Sequence, residues 1–173
     1  MSLFHATHIF SEKIEKRTPG LYVCGGFQFL GKYYKEADGT KVEGLGIFDL
    51  YTQNPGENTR RLIGNMVINP SVEGLDKTIV GFENHGGRTY LGKKMKPLGK
   101  VIKGFGNSDD GYEGAVYKNS IGTYMHGPIL PKNPELADYL ITLAVGASEL
   151  EALDDTIEEQ AHSSIANKLN AAL

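Results

Sequence analysis

Cys24 is the only cysteine in the chain, and its setting is that of a nucleophile. Leu21-Tyr22-Val23 is a short apolar run that reads as a buried strand, and it leads straight into Cys24-Gly25-Gly26. A strand that turns sharply at a nucleophile and continues into a helix pushes one side chain outward and strains its backbone. Small neighbours such as Gly25 let a substrate carbonyl come close. The free N–H groups at the start of the following helix would lower a thiol pKa and hold an oxyanion. The chemistry this suits is thiolate attack on an amide carbonyl and release from a thioester. Without that context a lone cysteine reads as a small buried hydrophobe.

A thiol of this kind needs a base. The five histidines are His5, His8, His85, His126 and His162. His5 and His8 fall near an end expected to fray, and His162 lies in a polar helical stretch expected to face solvent. His85, in Gly81-Phe82-Glu83-Asn84-His85-Gly86-Gly87, and His126, in Gly122-Thr123-Tyr124-Met125-His126-Gly127-Pro128, both sit at strand ends beside glycine. Either could pair with Cys24, and either could simply bond a loop backbone; spacing does not choose between them.

The elements that must position these groups alternate between helix and strand, which predicts an α/β fold. The polar stretch 11–17 reads as helix, stopped by Thr18-Pro19-Gly20. Residues 27–35 favour helix, with Phe27, Leu30 and Tyr34 on one face, followed by a turn at Ala37-Asp38-Gly39. Stretches 46–52, 62–68 and 78–82 read as strands, and 104–111 as a polar loop. Stretches 114–117 and 121–124 read as a hairpin around Lys118-Asn119-Ser120. Asn133-Pro134-Glu135 marks a helix start, with Leu136, Leu140 and Leu143 on its buried face. Leu153, Ile157, Ala161, Ile165 and Leu169 recur every four residues and predict a C-terminal helix within 149–173.

Composition bounds the rest. The 173 residues suffice for a single domain, 1–173, and 40% hydrophobic with 23% charged residues is ordinary globular usage. A net charge of -3 gives no electrostatic reason to expect nucleic acid or an anionic membrane. One thiol excludes an internal disulfide and a cysteine-rich metal site; with no signal-peptide pattern at the start, the expected location is the cytoplasm.

Taken together, Cys24-Gly25-Gly26-Phe27-Gln28-Phe29-Leu30-Gly31 and the His85 and His126 motifs resemble the cobyric-acid-synthase-type branch of class I glutamine amidotransferases. Arg61-Leu62-Ile63-Gly64-Asn65 and the run from Gly127-Pro128-Ile129-Leu130-Pro131 through Lys132-Asn133-Pro134-Glu135-Leu136-Ala137-Asp138 are similar to the glutaminase subunits of lipid II isoglutaminyl synthases within it. The resemblance covers roughly residues 11–148.

It implies a three-layer, flavodoxin-like α/β fold and a glutamine-derived thioester on Cys24, with His126 as the base. Gln28 matches a glutamine beside the substrate. Arg61 matches an arginine that holds the α-carboxylate, with Arg60 next door as the alternative. The resemblance implies no cofactor in this chain. The partner would be a Mur-ligase-like subunit that uses ATP and Mg²⁺ to amidate the D-glutamate α-carboxyl of lipid II. Many class I relatives carry a glutamate two residues after the histidine, where this chain has Pro128. A backbone carbonyl or a middle-strand residue such as Glu83 would then have to orient His126. Relatives also place several strands and helices before the nucleophile strand, so the chain is expected to lack the first of these. The expectation is that residues 3–16 fold over the edge of that strand, or that the chain self-associates. The alternatives are an amidotransferase domain of a cobyrinate or cobyric acid amidating synthase, and an inactive binding subunit.

Overall fold

The computed structural model describes residues 3–169, with side chains from Thr7 onward. Its first element, helix α1 (Leu3–Glu15), gives way to a turn in which Arg17 has a positive φ of 61°. Strand β1 (Gly20–Val23) and helix α2 (Gly25–Leu30) follow, joined only by Cys24. Then come β2 (Tyr33–Lys35), β3 (Lys41–Glu43), β4 (Leu50–Gln53), β5 (Leu62–Pro70), β6 (Ile79–His85), β7 (Arg88–Leu91) and β8 (Gly99–Lys103). The short strands β9 (Tyr112–Glu113), β10 (Ala115–Tyr117), β11 (Ser120–Thr123) and β12 (Met125–His126) precede the helices α3 (Pro134–Val145) and α4 (Thr156–Lys168).

The strands form three sheets with the orders β1-β11-β10, β12-β6-β5-β8-β9 and β3-β2-β4-β7. The mixed α/β class is as expected. Parallel pairing occurs between β1 and β11, and between β2 and β4. The predicted hairpin is β10–β11, turning at Lys118 in the left-handed region (φ 55°).

The helix expected over 27–35 stops early. Gly31 is extended, and Tyr33 and Tyr34 belong to β2, hydrogen-bonded to β3 and β4. The Tyr33 ring makes cross-strand contact: Tyr33 stacks on Tyr51 and Tyr51 on Tyr90, at 5.3 and 5.2 Å between centroids. Phe27 and Leu30 do face the core.

Two cores hold the site. One gathers Ile14, Phe27, Leu30, Phe48, Leu50 and Tyr124, and the other Met66, Ile68, Ile79, Leu98, Ile121 and Met125. Gly122 is the point of closest approach between α2 and β11, because a Cβ there would overlap the Phe27 ring. Helix α1 packs against β1, with Ile14 buried and Phe10 edge-on to Tyr22 at 6.3 Å. Glu15 pairs with Lys118 and accepts from the Tyr117 hydroxyl, tying α1 to the β10–β11 turn. Among the described residues β1 has β11 as its one strand partner.

Three further expectations need correction. Asn133 does precede α3, but its side chain does not cap that helix. It bonds the Val80 N–H and the Val80 and Ile129 carbonyls, tying the helix start to β6. Within α3, as its spacing predicts, Leu136 is fully buried and Leu140 is partly buried against the same core. In α4 the buried positions are His162 and Ala166, with Ile165 and Leu169 packed beside them as expected, while Ile157 is 77% exposed and Leu153, which precedes the helix, is 78% exposed. His162 was expected in solvent. Instead its two ring nitrogens bond Thr78 Oγ1 and the Lys132 carbonyl, so it anchors α4.

Candidate active site

Cys24 stands alone between β1 and α2 with φ 50° and ψ -107°, a conformation that costs a side-chain-bearing residue on the order of 1–3 kcal/mol. The turn is held from both sides. The Cys24 N–H donates to the Thr123 carbonyl at 2.8 Å, and the Cys24 carbonyl accepts the Gln28 N–H at 3.0 Å. Cys24 is half-buried, and the Gly25 N–H is directed at its sulfur. This is the strand–turn–helix geometry expected from the sequence.

The electrostatics differ from expectation. Burial pushes the thiol above its ordinary pKa, and neither the Gly25 N–H nor the nearby Arg61 charge fully offsets it. Helix α2 has six residues, too few for a strong dipole.

Arg61 reaches Asn84, donating to its side-chain oxygen from Nε and Nη2 at 3.3 and 3.0 Å. Its charge bears on both Cys24 and Tyr34. Arg60 turns the other way, with its guanidinium over the Phe105 ring at 4.4 Å. Gln28 donates from Nε2 to the Tyr124 hydroxyl at 3.0 Å. Gly87 has no room for a side chain, since a Cβ would press on Thr52, Gln28 and Tyr34. A cleft of about 280 Å³ lies beside this nucleophile elbow at Cys24, lined by Gly25, Gln28, Tyr34, Glu36 and Glu43 among others. A larger groove of about 710 Å³ under α4 includes Lys100, His162 and Ser163 and none of the candidate residues, so its size does not make it the site.

The two histidines separate by strand pleat. On β6, side chains alternate: Glu83 and His85 are buried at 0% and 2%, while Phe82 is exposed. His85 lies flat against Tyr124, at 3.6 Å and 7°, and its Nδ1 carries a proton toward the Gly87 carbonyl at 2.8 Å. His126 stands opposite Phe82, and Met125 opposite Glu83. Directly opposed residues share a sheet face, so His126 and Glu83 are on different faces. Glu83 is therefore not the group that orients His126. Its carboxylate accepts from the Phe105 and Gly106 N–H groups instead. His126 is half-buried, and its Nε2 is buried without a hydrogen-bond partner among the described residues.

Sequence reasoning missed Glu113 because an acid in a glycine-rich stretch reads as solvated. It is fully buried, and burial pushes its pKa up to about 7 from the ordinary 4.5. The folded chain therefore holds this proton more tightly than the unfolded chain. That contribution to stability is complete below about pH 4.5 and is lost as pH rises through about 7. Between those limits wild type should lose about 3 kcal/mol relative to Glu113→Gln, measured by urea unfolding at a series of pH values. A constant difference between the two proteins would contradict this.

Comparison with known proteins gives a consistent answer. The profile of the CobB/CobQ-like glutamine amidotransferase domain matches residues 6–134. The chain is 49% identical over 164 residues to subunit GatD of the glutamine-hydrolyzing lipid II isoglutaminyl synthase of Staphylococcus aureus, covering 92% of this chain and 64% of that one. The Streptococcus pneumoniae GatD is 45% identical over 146 residues, covering 81% of this chain and 55% of that one. A probable cobyric acid synthase of Methanothermobacter thermautotrophicus is 35% identical over 167 residues, 88% of this chain and 32% of the relative. The chain thus spans between 55% and 64% of the two GatD relatives. A crystal structure of a glutamine amidotransferase superimposes with a TM-score of 0.57 at 17% identity, covering 80% of this chain and 68% of that one, which shows a shared fold. With the profile running through both the Cys24 turn and the His126 strand, the chain belongs to the CobB/CobQ-like glutamine amidotransferase family.

Proposed function

We propose that this chain hydrolyses glutamine and passes the ammonia to a Mur-ligase-like partner that amidates the D-glutamate α-carboxyl of lipid II. The observation that carries the reading is Cys24, strained at a strand–helix turn with the Gly25 N–H aimed at its sulfur. Identity to GatD at 49%, against 35% to a cobyric acid synthase, favours this branch over the cobyric acid reading.

In this mechanism the Cys24 sulfur attacks the side-chain carbonyl carbon of glutamine. Because burial keeps the thiol protonated, a base must take the proton as the bond forms, and His126 has that role. The Gly25 N–H stabilises the oxyanion. His126 then gives the proton to the departing amine, which leaves as ammonia, and a Cys24 thioester remains. Water, deprotonated by His126, attacks the thioester; the C–S bond breaks, glutamate is released, and His126 returns the proton to the Cys24 sulfur. Arg61 holds the α-carboxylate of the substrate, and Gln28 lines its path. ATP and Mg²⁺ serve the partner, which is proposed to work as a heterodimer with this chain.

The reading is tested by exposing the chain to a glutamine-like diazo ketone and mapping the adduct by mass spectrometry. Modification at Cys24, prevented by excess glutamine, is expected. Absence of both modification and ammonia release, with and without the ligase partner, would rule it out.

A further inference from the structure

We propose that Glu113 is a positioning residue that clamps the crossing between β11 and β12, the segment from which the nucleophile turn, the Gln28 amide and His126 are all hung. The proposal rests on the glutaminase reading.

The crossing is where the chain leaves one sheet for another: β11 pairs with β1 and β10, and β12 pairs with β6. Tyr124, between them, belongs to neither ladder, yet it is fully buried. Its backbone N–H therefore needs an acceptor from elsewhere. Glu113 Oε1 supplies it at 2.7 Å, and also accepts from Thr123 Oγ1 at 2.6 Å. Thr123 Oγ1 in turn accepts the Met125 N–H at 3.0 Å. One carboxylate oxygen thus fixes three consecutive residues.

Each of those residues leads to the chemistry. The Thr123 carbonyl receives the Cys24 N–H at 2.8 Å, on the strained residue itself. The Tyr124 hydroxyl receives the Gln28 amide at 3.0 Å and bonds Thr89 Oγ1 at 2.6 Å. Met125 is followed by His126 on β12. A shift of the crossing would move nucleophile, substrate contact and base together.

The arrangement is costly as a stability device. Glu113 Oε2 is buried without a hydrogen-bond partner among the described residues, and the titratable groups facing the carboxyl include Glu83 as well as His85. A buried acid with one idle oxygen is poorer for stability than an apolar side chain of similar size. Its use here is geometric.

The test compares Glu113→Ala, Glu113→Gln and Thr123→Val in the full chain. Two readouts are taken: kcat and KM for glutamine, and hydrogen exchange of the Cys24 N–H. Amides of β5 and β6 serve as the reference for global opening. Glu113→Ala should lower kcat roughly a hundredfold, with a smaller rise in KM through the Gln28 contact, since displacement of positioned groups costs about that much. Exchange at Cys24 should accelerate relative to the reference amides. Glu113→Gln keeps an acceptor oxygen for both bonds and should restore kcat and exchange to near wild type. Should Glu113→Ala fail to fold, Thr123→Val, which removes one of the two bonds, should shift both readouts in the same direction by less.

A kcat and relative Cys24 exchange unchanged in Glu113→Ala, or in Thr123→Val where that variant decides, would overturn the proposal. So would a Gln variant as impaired as the Ala variant. If wild type itself releases no ammonia, the glutaminase reading fails, and Cys24 exchange still decides the clamp.

Discussion

Cys24→Ala is expected to reduce glutamine hydrolysis at least about ten-thousandfold while leaving the fold intact. The chain has one cysteine, so no other thiol can form the thioester. The residual rate would come from substrate binding and the Gly25 N–H, which position and polarise the amide without forming a bond to it. Stability should barely change. The side chain is half-buried and is not a helix cap, and alanine meets the same backbone strain at φ 50° that cysteine does. The comparison therefore separates chemistry from folding: ammonia release is followed on samples whose thermal unfolding is matched to wild type. Hydrolysis at the wild-type rate in Cys24→Ala would end the covalent mechanism.

How much of this site could be read from sequence depends on which physical signal each residue carries. The elbow was legible because its parts are local: an apolar run, a cysteine and two glycines. The β10–β11 hairpin and the start of α3 were legible for the same reason. The end of α2 was not. Phe27, Leu30 and Tyr34 have helical spacing, but Tyr34 lies on β2, where pairing with Thr52 of β4 decides its conformation. Such pairing is long-range and leaves no local trace. His162 and Glu113 were misread or missed because a polar residue in a polar stretch looks solvated. Their partners, Thr78 with Lys132 and Thr123 with Tyr124, come from other elements. His85 and His126 illustrate the limit most clearly. Both end a strand beside glycine, and what separates them is the pleat of β6, which turns Glu83 and His85 inward and leaves His126 on the face of Phe82.

That pleat makes the two histidines separable by experiment. His126→Ala is expected to lower kcat at least about a hundredfold, the low end for loss of a general acid–base. Its cost in stability should be small, because Nε2 of His126 has no hydrogen-bond partner to strand. His85→Ala should behave in the opposite sense. It removes a buried ring stacked on Tyr124 and the donor to the Gly87 carbonyl, leaving a cavity and an unsatisfied acceptor. Losses of that kind cost about 3 kcal/mol. Its effect on turnover should be indirect, acting through Tyr124 and the Gln28 amide that Tyr124 accepts. Measuring kcat only on protein verified as folded, alongside urea unfolding, gives each variant two coordinates. His126→Ala should fall in rate and hold in stability, while His85→Ala should fall in stability and hold most of its rate. Added imidazole, which can enter the vacated space beside a half-buried residue, should restore part of the rate to His126→Ala and none to His85→Ala. If folded His85→Ala proves the slower enzyme, the base has been assigned to the wrong face of the sheet.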